Sequence, residues 1–195
     1  MNKTHAFIVS CFVLLMTAGC SKSFKYKYDD KPIEISCHGA NTKLLNEALY
    51  SFFEDITMYY RTNSNDRSQR NMSAYDAYAI YAYKGALGEA DYSGIVSEHT
   101  KKVMNELKKN TQLWDKKPAM SNLNYNSEFV NCLIENFTNE DMRISIQSLH
   151  TANSLTPRLL AERFRINIKN AFDDPNYAMY IALDTYYQYL YDLKL

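Results

Sequence analysis

The chain has 195 residues and equal numbers of basic and acidic side chains, 22 of each. With no basic surplus to neutralise phosphates, nucleic acid is not an expected partner. Only 5 Gly and 4 Pro leave little of the turn grammar of a β-sandwich, and 46% hydrophobic content is enough for one buried core.

The chain opens MNKTHAFIVSCFVLLMTAGC. Lys3 and the amino terminus supply positive charge, Ala6 to Met16 an apolar run, and Thr17-Ala18-Gly19 small residues before Cys20. These are the parts of a secretory signal, and the run is shorter than the ~20 residues that a membrane-spanning helix needs. Cysteine directly after Ala-Gly resembles the lipobox of bacterial lipoproteins, with Thr17 standing where that family usually carries Leu. The resemblance covers residues 1–20 alone. It implies cleavage after residue 19, acylation of Cys20 and attachment to the bilayer through that lipid. Ser21, rather than Asp, behind the cysteine implies sorting to the outer membrane of a Gram-negative cell, facing the periplasm.

Residues 20–39 read as lipidated cysteine and tether, and 40–195 as the folded domain. The stretch SKSFKYKYDDKPIEIS is charged, holds Pro32 and lacks a helical period. Extended at ~3.3 Å per residue it would reach ~50 Å. The alternation of Ile33 and Ile35 allows instead a short strand lying on the domain. Of 4 cysteines, Cys11 leaves with the signal and Cys20 is the acylation site. The remaining pair, Cys37 and Cys132, is expected as a disulfide in an exported protein, the alternative being two buried thiols.

From Asn41 the spacing turns helical. Leu44, Leu45, Ala48, Leu49, Phe52, Phe53 and Ile56 form one broad stripe, with Asn41 or Thr42 as cap. Arg61 to Met72 is polar and aperiodic. Ser73, with Asp76 three residues on, opens a second helix to about Leu87, where Gly85 and Gly88 weaken its end. A third is expected from about Ser93 to Asn110, and then a loop to Asn126 with Trp114 tucked inward. Ser127 to Phe137 gives a fourth helix, and Thr138 restarts a fifth to Thr151. Thr156-Pro157 and Asp174-Pro175 each pair a cap with a proline suited to the first helical turn. They start a sixth helix to Phe172 and a last one running almost to Leu195. That last helix is apolar nearly all round from Tyr177 to Leu183, so it is expected at the centre. The expectation is an all-α, single-domain bundle of about six or seven helices in hairpins.

No catalytic, cofactor-binding or metal-ligating set stands out. The histidines of the mature chain are His38, His99 and His150, with no G-x-S-x-G elbow. His99 lies in phase with an apolar face, as a satisfied core histidine does. Cys37, His38, Cys132, His99 and His150 suit zinc by type but not by spacing. The carboxylate pairs Glu54-Asp55, Glu140-Asp141 and Asp173-Asp174 read as helix ends or solvent faces. Tyrosine is abundant at 17. Tyr75, Tyr78, Tyr81 and Tyr83 crowd one helix, and Tyr177, Tyr180, Tyr186, Tyr187, Tyr189 and Tyr191 another. Their helical spacing favours packing of helix on helix, and an interaction surface is the other reading. The leading functional expectation is a lipid-anchored helical module that binds or helps assemble another envelope protein. The alternative is an envelope enzyme built from scattered carboxylates and tyrosines.

Overall fold

The computed structural model describes residues 23–37, 41–62, 72–115, 118 and 121–194. The signal sequence, Cys20, Ser21 and His38 lie outside them. Every residue from Tyr177 to Gln188 is buried, and this apolar segment forms the axis of an all-helical body. Around it stand α1 (Thr42–Thr62), α2 (Ala74–Leu87), α3 (Tyr92–Ile95), α4 (Glu98–Leu107), α5 (Glu128–Glu135), α6 (Glu140–Thr151), α7 (Pro157–Ile166) and α8 (Ile168–Asp173). The axis itself is α9 (Pro175–Ala182), a π turn (Leu183–Tyr187) and α10 (Gln188–Asp192). α9 packs on α5, α8 and α1, while α1 packs on α4 and α2. The most extensive pairing, α2 along α7, joins helices remote in sequence, which a chain of sequential hairpins does not provide.

Most caps follow their chemistry; Thr156 precedes α7 in extended backbone but makes no side-chain cap bond, so that start rests on Pro157 alone. Asn41 Oδ1 accepts from the backbone N–H of Leu44 at 3.1 Å. Ser73 and Asp76 complete a reciprocal capping box, and Gly88 ends α2 in the left-handed region at φ 77°. Asp174 Oδ1 accepts from the N–H groups of Asn176 and Tyr177 at the start of α9. Its Oδ2 accepts from the Thr138 N–H and hydroxyl at 2.7 and 2.9 Å. Thr138 is thus occupied, and Asn139 caps α6 in its place.

Three expected helices are interrupted. The third divides into α3 and α4 because Ser97 is extended and caps α4 through its hydroxyl, while its N–H donates to Asp55 Oδ2 at 3.1 Å. The sixth divides at Asn167, which carries non-helical backbone angles. The last widens into a π turn where side chains claim main-chain carbonyls. Thr185 Oγ1 donates to Ile181 O at 2.7 Å, Tyr81 OH to Thr185 O at 2.7 Å, and Gln188 Nε2 to Asp184 O.

The expected tether is corrected over residues 23–37. They form a strap around α1, closer to the alternative of a segment lying on the domain, though without strand pairing. Phe24, Tyr26 and Tyr28 pack inward, while Ser23, Lys25 and Lys27 face outward. Glu47 accepts from the N–H groups of Lys27 and Tyr28, and Asn46 Oδ1 from those of Glu34 and Ile35. Asn46 Nδ2 returns a bond to Ile35 O at 3.1 Å. Ile35 is fully buried, whereas Ile33 is 69% exposed. The strap ends at Cys37, whose Sγ lies 2.05 Å from that of Cys132 on α5, with Cα atoms 5.9 Å apart. The two cysteines are therefore placed as a disulfide.

Candidate functional site

The loop between α4 and α5 folds back on itself. An isolated bridge joins Trp114 and Leu123, with Asp115 N–H donating to Asn122 O at 2.8 Å and Asn124 N–H to Leu113 O at 2.9 Å. Trp114 is tucked inward as expected, its indole N–H donating to Leu107 O at 2.9 Å. Opposite this loop, Asn153 follows the end of α6 in left-handed backbone at φ 51°, a conformation that asparagine tolerates. Between the two lies a cleft of about 230 Å³, lined by Asp115, Ser121, Asn124, Tyr125, Asn126, His150, Asn153 and Leu155. His150 Nε2 and Asn126 Oδ1 are 3.1 Å apart and hold the two walls together.

The floor of the cleft leads to a buried acid. Tyr125 OH donates to Asp184 Oδ1 at 2.6 Å, and Ser121 Oγ donates to Gln188 Oε1 at 2.5 Å. Asp184 sits in the π turn and is completely buried. Burial pushes its pKa up to about 7, against the opposing pull of Tyr125 and Tyr180. Burial likewise raises the Tyr125 phenol, and the neighbouring Asp184 charge adds to this. Tyr180 stands close enough to Asp184 to act on it, yet its hydroxyl and Asp184 Oδ2 each lack a hydrogen bond of normal geometry. The Tyr78 and Tyr177 hydroxyls, also buried, have no partner within the described residues. A π turn, a displaced acid and the unmet Asp184 Oδ2 and Tyr180 hydroxyl behind the cleft mark this as the candidate site, whereas the Tyr78 and Tyr177 hydroxyls lie toward Asp174 at the start of α9.

A second polar cluster lies under the strap. His99 Nε2 is 2.6 Å from Glu47 Oε1, and the Phe24 and Tyr28 rings flank the imidazole at 6.0 and 5.9 Å. His99 is satisfied, as expected, by a carboxylate of another helix. Beside it an open groove of about 470 Å³ is lined by Lys27, Glu54, Asp55, Met58, Tyr59 and Ser97 among others. Asp55 is not at a helix end or solvent face as expected. It is 4% exposed and accepts from Ser97 N–H and Tyr186 OH.

Cys37 and Cys132 meet each other. His99 and His150 stand on different elements with separate partners. Among the described residues no group of three or more His, Cys, Asp or Glu could hold a metal ion. Most of these tyrosines are core: Tyr78, Tyr81, Tyr177, Tyr180, Tyr186 and Tyr187 are fully buried, Tyr189 and Tyr191 are half-buried, and Tyr75 and Tyr83 are exposed at 38% and 37%. The aromatic surface that would favour an interface is therefore not formed by these rings. No described helix is long and apolar enough to cross a membrane.

Sequence alone singles out none of Asp184, Tyr125 and Glu47, and it places Asp55 on a solvent face. Asp184 left a signal, being a lone acid inside an apolar run, which buries only at a cost. Tyr125 left none, because only the fold brings its loop to the last helix. Comparison with protein-family models, with curated proteins and with solved structures finds no match for this chain.

Proposed function

We propose that this chain is a lipid-anchored helical protein of the bacterial envelope, facing the periplasm, and that it works by binding another envelope protein at the cleft over Tyr125. The anchor is supported by the Met1–Cys20 sequence. The binding role is supported above all by the make-up of the cleft. Its walls present amide, hydroxyl and imidazole edges held in place by one another, as between Asn124 and Gln112 O or His150 and Asn126. Such edges recognise polar side chains and main-chain groups of a partner. The acid with displaced acidity, Asp184, is sealed behind Tyr125 rather than offered to a substrate.

A photo-reactive residue at Asn126 tests this in cells. A discrete crosslinked species is expected from position 126, absent from Ile144 on the exposed side of α6, and abolished by Asn153→Arg, which fills the cleft without entering the core. Equal crosslinking from 126 and 144 would refute the cleft as the contact. Palmitate labelling of wild type against Cys20→Ala tests the anchor, and equal labelling of the two would refute it.

One observation favours the second reading, an envelope enzyme with a carboxylate and tyrosine site. The Asp184 and Tyr125 pair has the displaced acidity common at catalytic centres. On that reading Tyr125→Phe leaves partner crosslinking intact and abolishes a reaction. On the binding reading it loosens the cleft wall and weakens the crosslink.

A further inference from the structure

We infer that the lipidated protein is mounted on the bilayer rather than trailed from it, with the face where the strap emerges resting on the lipid headgroups. This rests on the lipid-anchored reading above. Were residues 21–36 free, the body could drift ~50 Å from its anchor at ~3.3 Å per residue. The structure removes most of that length. Phe24 already packs on the body, 6.0 Å from the His99 ring, and two backbone N–H groups just behind it are held by Glu47. Asn46 grips the far limb, and the Cys37–Cys132 pair closes its end. Only the steps from Cys20 to Ser23 are left as a leash, about 11 Å when fully extended at ~3.6 Å each.

The chemistry of the face agrees with a headgroup surface. Along the first limb the aromatic rings of Phe24, Tyr26 and Tyr28 turn inward, so what faces out is Ser23, Lys25 and Lys27. Lys27 is paired with Glu54, whereas Lys25 has no ion-pair partner among the described residues. Lys102 is exposed and lies one turn beyond His99 on the same side of α4, and it is the His99 ring that Phe24 of the strap packs against. Each such cation is drawn to anionic lipid, too weakly to anchor a protein but enough to select which face of a closely held body turns toward the membrane. The occupant of this face is the bilayer itself.

The test uses the full lipidated protein in vesicles of phosphatidylethanolamine and phosphatidylglycerol that carry a nitroxide on some headgroups. A fluorophore is placed at Lys102→Cys, on the body rather than on the strap. Strong quenching is expected. It should fall several-fold when a Gly/Ser linker of about 16 residues, with a root-mean-square length of about 22 Å, is inserted between Lys22 and Ser23. Weak quenching that the insertion leaves unchanged would overturn the mount while leaving the anchor intact. Failure of the wild type to take up palmitate at Cys20 would overturn the anchor reading instead, and the mount with it.

Discussion

Glu47 and Asp184 are both carboxylates on buried helix faces, 2% and 0% exposed, and their surroundings are opposites. Glu47 is saturated. Two strap N–H groups and the His99 imidazole converge on it. Its neighbours Asn46 and Asp55 are served as fully, the one by the strap backbone, the other by Ser97 and Tyr186. Asp184 is short of partners. Oδ1 receives Tyr125 and a long 3.5 Å bond from Gln188 Nε2, while Oδ2 and the nearby Tyr180 hydroxyl receive no bond of normal geometry. Burying a polar group is inexpensive when bonded and costly when not. The strap region thus has the build of a fastening. The region behind the cleft retains unmet bonding capacity at a carboxylate oxygen, Asp184 Oδ2, whereas on the strap side the carboxylates are served and the unmet buried group among the described residues is the Ser51 hydroxyl of α1.

The largest effect is expected at the fastening. Cys37→Ser opens a loop with a sequence separation of 95. The chain-entropy treatment values closure of such a loop at about 4–5 kcal/mol as an upper figure. Urea unfolding should show a large fall in midpoint, and an unchanged midpoint would mean that the strap is held without the bridge. Asn46→Ala comes next. It leaves the buried Ile35 N–H and carbonyl without partners, at a cost of about 2–3 kcal/mol. Faster hydrogen exchange at Glu34 and Ile35 should accompany the loss.

A matched pair of tyrosines sharpens the comparison on a smaller scale. Tyr186 donates to Asp55 Oδ2 at 2.8 Å, and Tyr177 donates to nothing among the described residues. Both rings are fully buried. Tyr186→Phe should cost about 1.5–3 kcal/mol, the range for a bond to a charged acceptor, while Tyr177→Phe should be near neutral or mildly stabilising. Equal costs for the two would erase the distinction between the regions.

Much of the fold was legible because its signals are local. The Ser73–Asp76 box, the Ser127 cap and the Pro157 and Pro175 starts all act within one turn, and the apolar run from Tyr177 correctly marked the central helix. The burial of the tyrosines followed from their helical spacing. What escaped was set by remote partners. Ser97 breaks a helical period because Asp55 of another helix takes its N–H. The strap reads as charged and aperiodic for helix, yet Phe24-Lys25-Tyr26-Lys27-Tyr28 alternates with a period of two, a pattern that becomes meaningful once α1 and α4 offer a groove. The cleft was the least legible, since Tyr125, His150 and Asp184 come together only through the packing of three separate segments.

The titration of Asp184 tests the central contrast most directly. Burial raises its native pKa to about 7, above the unfolded value of about 3.9, so between these pH values the native state holds a proton that the unfolded chain gives up. The stabilisation is complete below about pH 4 and is lost as pH rises through about 7. Side-chain carboxyl NMR of the folded protein, with Asp184→Asn to assign the resonance, should show one buried carboxyl with a midpoint near 7. Stability should decline across the same window in wild type and stay flat there for this group in the variant. A midpoint near 4 would mean that burial does not displace Asp184, and would contradict the account.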